Sequence, residues 1–346
     1  MDSNETRFNR ILQTLICLMF IYLIVGSNLY AKDRVSQSPS KSQNAVKPTF
    51  DEWLLTFRQD ALDKGISEKT LDSALPTIKQ IKRVVKYDRN QPEFKLTFAR
   101  YLNNVAPKSR VNQGRRLLKK HKKLLRDIRN KFGVQPRFIV AFWGMETSFG
   151  RLTGGFKVLD ALATLAYDGR RAKYFRKELI NALKIIDQGH IQAPKMSGSW
   201  AGAMGQTQFM PSTFLAYGVD YNNDGRINIW TDIEDALASA ANYLSKIGWD
   251  DTQTWGREVQ VPASLDKNLM DRKIKKNIAA WQALGVRKKN GSNLPNRNLQ
   301  ASIIKMDNKE GPAYMIYKNY HAIRDWNRSD NFAVSIGILS DRIGRY

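Results

Sequence analysis

Cysteine and histidine are scarce in this sequence. One cysteine, Cys17, and three histidines, His121, His190 and His321, occur among 346 residues. A single cysteine excludes an internal disulfide, and neither an HExxH nor a CxxC spacing occurs, so nothing in the sequence predicts a zinc site or metal catalysis by histidine. Stability must therefore come from a packed core, and the 42% of residues that are hydrophobic are enough to form one.

Long apolar runs are also lacking. The run at 11–25 is shorter than the roughly 20 residues that span a membrane. Arginines precede it and small and polar residues follow it, which is the layout of a secretory signal. We expect residues 1–31 to be a signal peptide, with an N-terminal membrane anchor as the alternative, and residues 32–47 to be a polar linker.

Acidic residues are outnumbered by basic ones. The chain has 56 lysines and arginines but 32 aspartates and glutamates, which gives a formal charge of +24 and a pI near 10.0. Such a field concentrates negative ligands, and nucleic acid, anionic lipid and acidic wall polymers all qualify. Export favours the wall, and no nucleic-acid partner is predicted. A generally basic, soluble surface explains the charge equally well.

Helical periodicity dominates the chain and predicts a mainly α fold. The helix predicted from Gln113 to Phe132 is amphipathic with a cationic face, and Pro136 is placed to begin a helix that is apolar nearly all round and therefore buried. Ser67 and Ser329 are predicted N-caps. Further helical patterns cover Phe50–Leu75, Tyr174–Ile186 and Ile233–Leu244.

The pattern changes between Gly256 and Tyr320. Short runs typical of strands, separated by turn signals such as Asn290-Gly291, replace the helical spacing. We therefore expect an α+β insertion within the mainly α protein. The predicted strands are Val259–Pro262, Ser302–Met306 and Tyr314–Tyr317.

One carboxylate stands at the end of the apolar helix. It is Glu146, within Phe142-Trp143-Gly144-Met145-Glu146-Thr147-Ser148-Phe149-Gly150. Apolar surroundings disfavour a charged carboxylate, so the pKa of Glu146 should rise toward the range that a glycosidase acid needs. A glutamate at the edge of the core, bonded to a backbone amide or an arginine, explains the helix and the composition as well.

A second segment favours the catalytic interpretation of Glu146. Its glycines and alanines let the backbone approach a ligand closely, and Ser199, Gln206 and Gln208 offer the neutral donors and acceptors that sugars bind. The segment reads Gly198-Ser199-Trp200-Ala201-Gly202-Ala203-Met204-Gly205-Gln206-Thr207-Gln208-Phe209-Met210-Pro211-Ser212.

Together the two segments closely resemble the membrane-bound lytic murein transglycosylase B family, which has a lysozyme-like core. The resemblance covers most of the chain after the predicted linker. It includes Phe50-Asp51-Glu52-Trp53-Leu54, Asp88-Arg89-Asn90-Gln91-Pro92-Glu93-Phe94 and Asn327-Arg328-Ser329-Asp330-Asn331-Phe332-Ala333.

The resemblance implies roles for particular residues. Glu146 matches the family's catalytic acid, Ser199 and Gln208 match residues around the sugar subsite, and Asn242-Tyr243 matches the pair that completes the site. With Gln206 these are the expected substrate-binding residues, and no cofactor is expected for catalysis. The expected substrate is the MurNAc-GlcNAc β-1,4 bond of peptidoglycan glycan strands, which places the protein in the periplasm, soluble or membrane-anchored.

The resemblance also implies that the reaction needs no second carboxylate. Glu146 would protonate the oxygen that leaves C1 of muramic acid, while the substrate's own N-acetyl group steadies the developing cation. Glu146 would then deprotonate the C6 hydroxyl as it attacks C1. The product is a 1,6-anhydro sugar, formed without net addition of water.

The domain organisation follows from these assignments. After the signal or anchor and the linker, we expect four regions whose boundaries lie at changes of pattern. They are an N-terminal helical region at 48–106, a lysozyme-like catalytic core at 107–250, an α+β insertion at 251–320, and a C-terminal helix at 321–346 that returns to the core.

An EF-hand-like loop occupies 220–235 within the expected core. Its oxygen-bearing residues follow the EF-hand order, with Gly225 at the sharp turn, but Thr231 stands where a glutamate usually closes the site. We expect a structural Ca²⁺ that braces the fold, and an Asn/Asp/Gly turn without metal is the alternative. The expected ligands are Asp220, Asn222, Asp224, Arg226 and Asp235.

Two rival functions stay open. A hydrolytic muramidase differs only in whether water or the C6 hydroxyl attacks, and Asp160, Asp168 and Asp187 are candidates for its second carboxylate, although each is equally well a surface or capping residue. A catalytically silent peptidoglycan-binding protein would keep a sugar-binding groove but would not cleave the glycan. The retention of Glu146 favours the enzyme.

Overall fold

The computed structural model describes residues 47–89 and 96–345. The predicted signal or anchor, and nearly all of the predicted linker, lie outside the described residues. Within the described ranges, no helix is both long and apolar enough to cross a lipid bilayer.

The described chain contains fifteen α-helices and seven short strands. The helices are α1 (Phe50–Asp63), α2 (Glu68–Ala74), α3 (Lys82–Arg89), α4 (Phe98–Val105), α5 (Lys108–Lys120), α6 (Lys122–Phe132), α7 (Pro136–Thr147), α8 (Val158–Asp168), α9 (Ala172–Asp187), α10 (Pro211–Tyr217), α11 (Ile233–Lys246), α12 (Ile278–Ala283), α13 (Met306–Lys309), α14 (Lys318–Trp326) and α15 (Asp330–Gly344). The strands are β1 (Phe156–Lys157), β2 (Ser197–Gly198), β3 (Gly256–Gln260), β4 (Lys276–Asn277), β5 (Arg287–Lys288), β6 (Gln300–Lys305) and β7 (Ala313–Ile316).

Three predicted helix starts are confirmed. The Ser67 hydroxyl accepts a hydrogen bond from the Thr70 amide at the start of α2, and the Ser329 hydroxyl does the same for the Phe332 amide at the start of α15. Pro136 is the first residue of α7, where its missing N–H leaves no intrahelical partner unsatisfied. These residues fix where the helices that bear the site begin.

The single helix predicted from Gln113 to Phe132 is wrong. The chain forms α5 and α6, separated at His121, whose φ of −102° and ψ of 25° are not helical. His121 still donates to the Leu117 carbonyl and accepts from the Leu125 amide, each at 2.9 Å, so the apolar spacing runs through the bend without a change of phase. The bend sets the His121 ring edge-on to Trp143, 6.0 Å away.

Helix α7 is the centre of the main core. Every residue from Phe138 to Thr147 is buried, which confirms the prediction of a buried helix. Helix α15 lies antiparallel to it: Asp341 forms an ion pair with Arg137 at the start of α7, and the Phe332 ring lies 6.2 Å from that of Phe142 near its end. The last long helix therefore returns to the element that carries Glu146.

The strands of the C-terminal half form one antiparallel sheet in the order β4-β6-β7-β3-β5. One face of the sheet packs on the main core through Tyr314 and Ile316, and the other builds a smaller core around Trp281 and Met315. The mixed class predicted from the sequence, mainly α with a strand-containing insertion, is confirmed. The exact limits of the six predicted regions stay predictions.

A glycine at the contact between α15 and Trp255 offers a test of this packing. A methyl group at Gly337 would overlap the Trp255 indole, which is itself 1% exposed and cannot move aside. We expect Gly337→Ala to lower the free energy of unfolding by about 1–3 kcal/mol, despite the ~1 kcal/mol by which alanine favours a helix. Urea denaturation measures the change.

The control for this prediction is Gly155→Ala. A methyl group there would have no neighbouring atom within 4 Å, and the backbone of Gly155 is not left-handed. The control should be near neutral. Equal losses in the two variants would contradict the rigid contact between α15 and Trp255.

Candidate active site

Glu146 lies where α7 ends and the chain reverses. Ser148, Phe149 and Gly150 follow it with φ values of 49°, 64° and 79°, three consecutive residues in the left-handed region. Such a conformation is costly for residues other than glycine and persists only where its surroundings hold it. Here the buried guanidinium of Arg110 donates to the Ser148 hydroxyl at 3.0 Å.

The Glu146 carboxyl is 1% exposed and has one described hydrogen-bond donor. The indole Nε1 of Trp326 donates to Glu146 Oε1 at 2.8 Å, whereas Oε2 has no partner among the described residues. Burial raises the pKa of Glu146 well above its ordinary value, and the Trp326 bond opposes this rise. The group is therefore protonated at a pH where an exposed glutamate is charged.

The proton of the neutral acid has a defined place. An indole N–H only donates, so Glu146 Oε1 must act as an acceptor toward Trp326. Because the carbonyl oxygen of a carboxylic acid is a better acceptor than its hydroxyl oxygen, this bond favours the acid proton on Oε2, which has no partner among the described residues. This arrangement presents a proton donor to a ligand on one side of the carboxyl group.

Trp326 is in contact with three separate parts of the site. Its ring lies 4.5 Å from that of Phe142 in α7, 5.4 Å from Phe209 in the loop before α10, and 5.0 Å from Tyr243 in α11. Sequence analysis did not assign a role to Trp326. It directly precedes the family-like segment that begins at Asn327, but no local pattern reveals a contact with a residue 180 positions away.

Ser199 and Gln206 of the glycine-rich loop, which are predicted to bind sugar, form hydrogen bonds with other parts of the protein. The Ser199 hydroxyl accepts from the amides of Ala201 and Ala203, at 3.3 and 3.0 Å. Gln206 accepts from Trp143 Nε1 through its side chain at 3.0 Å and from the Thr147 hydroxyl through its carbonyl at 2.8 Å. Both residues thus shape the loop against α7, and their contact with substrate stays a prediction.

Gln208 is held differently. Its φ is 52°, and its side-chain nitrogen donates to the carbonyls of Thr153 and Gly205 at 3.0 and 2.9 Å. No described residue donates to its Oε1. The next residue, Phe209, packs on Trp326, so this part of the loop lies close to Trp326.

Asn242 and Tyr243, the pair predicted to complete the site, lie on α11. Asn242 donates to the Tyr217 carbonyl at 2.9 Å, and the Tyr243 hydroxyl donates to the Asp325 carbonyl at 2.9 Å. Burial raises the pKa of Tyr243, so its hydroxyl stays neutral. The Tyr243 ring thus joins the aromatic surroundings of Trp326, while Asn242 points its amide nitrogen into the fold.

The three alternative carboxylates are engaged elsewhere. Asp160 accepts from the Lys79 amide at 3.1 Å, Asp168 pairs with Arg89 at 2.8 Å, and Asp187 accepts from the Thr70 hydroxyl at 2.6 Å. All three partners come from the N-terminal helical part of the chain. Within the described residues, no charged side chain contributes to the pKa shift of Glu146.

The EF-hand-like loop folds its acidic side chains onto its own backbone. Asp220 accepts from the amides of Asp224 and Gly225 at 3.1 and 2.9 Å, and the buried Asp235 accepts from those of Tyr221 and Asn228, each at 2.7 Å. No three His, Cys, Asp or Glu side chains of the described chain are gathered to hold a metal ion as they stand.

The donor chemistry of the loop nevertheless suits calcium. The ligands expected from the sequence are oxygens only, and Ca²⁺ prefers oxygens. Burial, with Asp232 and Asp220 nearby, raises the pKa of Asp235, and the two amides that it accepts from oppose this rise. A cation would relieve that crowding of carboxylates. The side chains that could bind the ion are those of Asp220, Asn222, Asp224 and Asp235. Arg226 could contribute its main-chain oxygen.

A mainly helical fold in which a buried glutamate with a raised pKa lies at the end of a core helix, beside a loop of neutral polar residues, resembles the arrangement of lysozyme-like enzymes. Comparison with known proteins agrees with this class. The chain belongs to the family described as Transglycosylase SLT domain, whose sequence profile matches residues 49–341. The resemblance inferred from the Glu146 and Gly198–Ser212 segments is thereby confirmed.

Relatives fall within the same family. Membrane-bound lytic murein transglycosylase B of Escherichia coli strain K12 is 36% identical over 216 residues, 61% of this chain but 58% of that protein. SltB3 from Pseudomonas aeruginosa, solved with NAG-NAM-pentapeptide, has a TM-score of 0.84 at 41% identity, over 86% of this chain and 80% of that chain. SltB3 was also solved with NAG-anhNAM-pentapeptide. Escherichia coli Slt35, solved with calcium, has a TM-score of 0.73 at 30% identity, over 84% of this chain and 92% of that chain.

The contact between Trp326 and Glu146 is open to direct measurement. Trp326→Phe removes the indole N–H but keeps an aromatic ring. Because the lost bond favours the charged form, the pKa of Glu146 should rise further in the variant, and any activity that needs the protonated acid should persist to higher pH. Titration of the ¹³C-labelled Glu146 carboxyl by NMR measures the pKa, with Glu146→Gln identifying the signal.

The control is Trp281→Phe, which removes another buried indole whose Nε1 donates to the Ala301 carbonyl at 2.8 Å. It should leave the Glu146 titration unchanged. An unchanged titration in Trp326→Phe itself would show that the indole does not influence the acid.

Proposed function

We propose that this protein is a lytic transglycosylase that cleaves the MurNAc-GlcNAc β-1,4 bond of peptidoglycan and leaves 1,6-anhydroMurNAc ends. The observation that carries the proposal is the Glu146 carboxyl, which is buried and free at Oε2, in a chain of the Transglycosylase SLT domain family. Burial also raises the pKa of this carboxyl. The complexes of SltB3 with NAG-NAM-pentapeptide and NAG-anhNAM-pentapeptide support the same substrate class and product here.

In the first half of the proposed reaction Glu146 acts as an acid. Its Oε2 proton passes to the glycosidic oxygen, the bond from that oxygen to C1 of the muramic acid breaks, and the GlcNAc end leaves with a free hydroxyl. The substrate's N-acetyl group stabilises the positive charge at C1. The new carboxylate keeps its bond from Trp326, which then strengthens because the acceptor is charged.

In the second half the same carboxylate acts as a base. It removes the proton of the C6 hydroxyl as that oxygen attacks C1, so Glu146 returns to its protonated form and no water is consumed. A residue that serves first as an acid and then as a base needs a pKa high enough to keep its proton until the first step and low enough to release it there. Burial and the Trp326 bond act in opposite directions on the pKa of Glu146, which suits this double role.

The neutral groups around Glu146 are proposed to bind the sugar. Gln208 Oε1 is the acceptor best placed to meet a substrate hydroxyl or amide, since its nitrogen is already fixed by two carbonyls. Tyr243 offers a ring face, and Ser199, Gln206 and Asn242 hold the walls that contact the glycan. Neutral groups of this kind bind sugars without disturbing the protonation of Glu146.

The cellular setting is part of the proposal. The N-terminal segment is proposed to export the protein to the periplasm, where peptidoglycan lies, and to remain as a membrane anchor if it is not cleaved. The name of the Escherichia coli relative, a membrane-bound enzyme, supports such an association. The basic composition suits a wall that carries acidic groups, and nucleic acid is not a proposed partner.

Digestion of purified peptidoglycan tests the reaction and the residue together. Mass spectrometry of the products should show anhydro ends, and Glu146→Gln should reduce their release by about 10³-fold or more, because general acid–base catalysis by one group contributes about 10²–10⁴-fold. Reducing ends would identify a hydrolytic muramidase instead. Binding without cleavage by the unsubstituted chain would identify a silent wall-binding protein.

Glu178→Gln is the matched control for Glu146→Gln. Glu178 is 2% exposed, and burial raises its pKa too, but its carboxylate accepts from the amide and hydroxyl of Ser212 at 2.9 and 2.7 Å and serves the fold. The control should retain cleavage at temperatures where it stays folded. Full activity in Glu146→Gln would remove Glu146 from the proposed mechanism.

We further propose that the loop at 220–235 binds a structural Ca²⁺ through Asp220, Asn222, Asp224, the main-chain oxygen of Arg226, and Asp235. The calcium complex of Slt35, at 30% identity, supports this assignment. The ion would supply positive charge to a loop of crowded carboxylates. It takes no part in the proposed chemistry at Glu146.

Thermal unfolding tests the calcium site without reference to activity. A saturating excess of CaCl₂ over EDTA should raise the melting temperature, since ligand at 100 times its Kd adds about 2.7 kcal/mol of stability. Asp220→Asn combined with Asp224→Asn should abolish the rise. Asp63→Asn combined with Asp72→Asn, two exposed residues outside the loop, should preserve it. The absence of any rise with calcium, or an equal rise with MgCl₂, would contradict a specific site.

A further inference from the structure

Arg110 is a buried cation without an acidic partner. The residue is 8% exposed and forms no ion pair with a described residue. Burial and, to a smaller degree, the like charge of Arg151 lower the pKa of Arg110 to about 10. The guanidinium is still charged at neutral pH, so its burial is unfavourable unless neutral groups of the protein compensate for it.

The ends of two helices supply these neutral groups. Arg110, in the first turn of α5, donates from Nη1 to the carbonyl of Val105, the last residue of α4. It also donates from Nη2 to the hydroxyl of Ser148, the residue directly after α7, at 3.0 Å. The C-terminal end of a helix carries partial negative charge, which favours a cation. The guanidinium therefore links the end of α4 to the end of α7.

The chain is strained at the place where this link meets α7. Ser148 and Phe149 have φ values of 49° and 64°, which are costly for residues other than glycine. Their amides are still bonded to the last turns of α7, to the carbonyls of Gly144 and Trp143 at 3.1 Å each. Glu146 lies only two residues before Ser148. A rearrangement of this turn would therefore move the part of α7 that carries the acid.

The position of Glu146 has a narrow tolerance. The bond from Trp326 to Glu146 Oε1 is 2.8 Å long, and an N–H···O bond is ordinarily no longer than about 3.2 Å. A displacement of about 1 Å would break this bond, and a misplacement of that size can cost an enzyme about 10²-fold in rate. Arg110 does not contribute to the pKa shift of Glu146, so any influence of Arg110 on the acid must come from position.

We propose that Arg110 is a positioning residue for the acid: its guanidinium holds the turn at Ser148 and so keeps the Glu146 carboxyl within reach of Trp326. The link needs a planar group that donates to two acceptors at once. A guanidinium is such a group, whereas a lysine ammonium is a point charge on a flexible stem. The effect on catalysis rests on the proposed function, but the placement of Glu146 beside Trp326 does not.

Arg110→Lys tests the proposal because it keeps the charge and removes the planar fork. In ¹⁵N-labelled protein the indole N–H signal of Trp326, identified by its loss in Trp326→Phe, should move upfield as the bond to Glu146 weakens. On peptidoglycan, kcat should fall about 10–100-fold with KM within about twofold, because misplacement of the acid affects the chemical step more than binding.

Ser148→Ala removes the acceptor of the link and leaves Arg110 in place. It should shift the same indole signal in the same direction. The double variant with Arg110→Lys should lose no more kcat than Arg110→Lys alone, because the two residues form one contact. Additive losses would mean that the residues act separately and would overturn the proposal.

Arg115→Lys is the matched control on the same helix. Arg115 donates from Nε and Nη2 to the Arg342 carbonyl, at 3.0 and 2.7 Å. The neighbour of Arg342 in the chain, Asp341, pairs with Arg137 near the start of α7, so this contact lies at the opposite end of that helix from Glu146. The control should leave both the indole signal and kcat unchanged.

The indole signal decides the proposal independently of activity. An unchanged signal in Arg110→Lys, or an equal shift in Arg115→Lys, would overturn the positioning role. A shift confined to the Arg110 and Ser148 variants, in a protein that releases no anhydro ends, would support the positioning role and refute the proposed function instead. Thermal melting of each variant establishes that it is folded.

Discussion

The carboxyl group of Glu146 lies in apolar surroundings that favour its neutral form, and one indole N–H, from Trp326, favours its charged form. An acid that later serves as a base needs both influences. In the proposed reaction, burial alone would make the group hold its proton too tightly to act as an acid. Several donors would instead lower its pKa until it lost its proton before the substrate arrived. The rest of the site preserves this balance.

The same indole also explains why the fold must bring distant segments together. Phe142, Phe209 and Tyr243 surround Trp326, yet the chain between Tyr243 and Trp326 includes the whole five-stranded sheet. The Tyr243 hydroxyl bonds to the Asp325 carbonyl and fixes the returning chain beside α11. The sheet thus lies between two elements that both belong to the site, and α15 then carries the chain back along α7.

Local signals were enough to predict much of the architecture, whereas the assignment of Glu146 as the acid rests on the family resemblance and stays a prediction. Pro136 and the apolar residues after it predicted α7, and the two glycine-containing segments identified the family. The break at His121 was not predictable, because the helical hydrogen bonds continue through it and the apolar spacing keeps its phase. Trp326 was missed because its role arises from a contact across the fold. Gln206 illustrates the reverse. It lies in a predicted binding loop, but its side chain and its carbonyl accept hydrogen bonds from Trp143 and Thr147.

The cations of this chain must lie away from Glu146 because its carboxyl needs a raised pKa. A lysine or arginine beside the carboxyl would favour its charged form and lower the pKa, so a chain with a formal charge of +24 must keep its cations away from that one group. Among the described residues none contributes to the shift. Positive charge collects instead at sites such as the surface where Arg257, Lys288 and Arg342 lie close together. There it can attract acidic polymers through the long-range field, while the acid at the other end of α7 remains protonated.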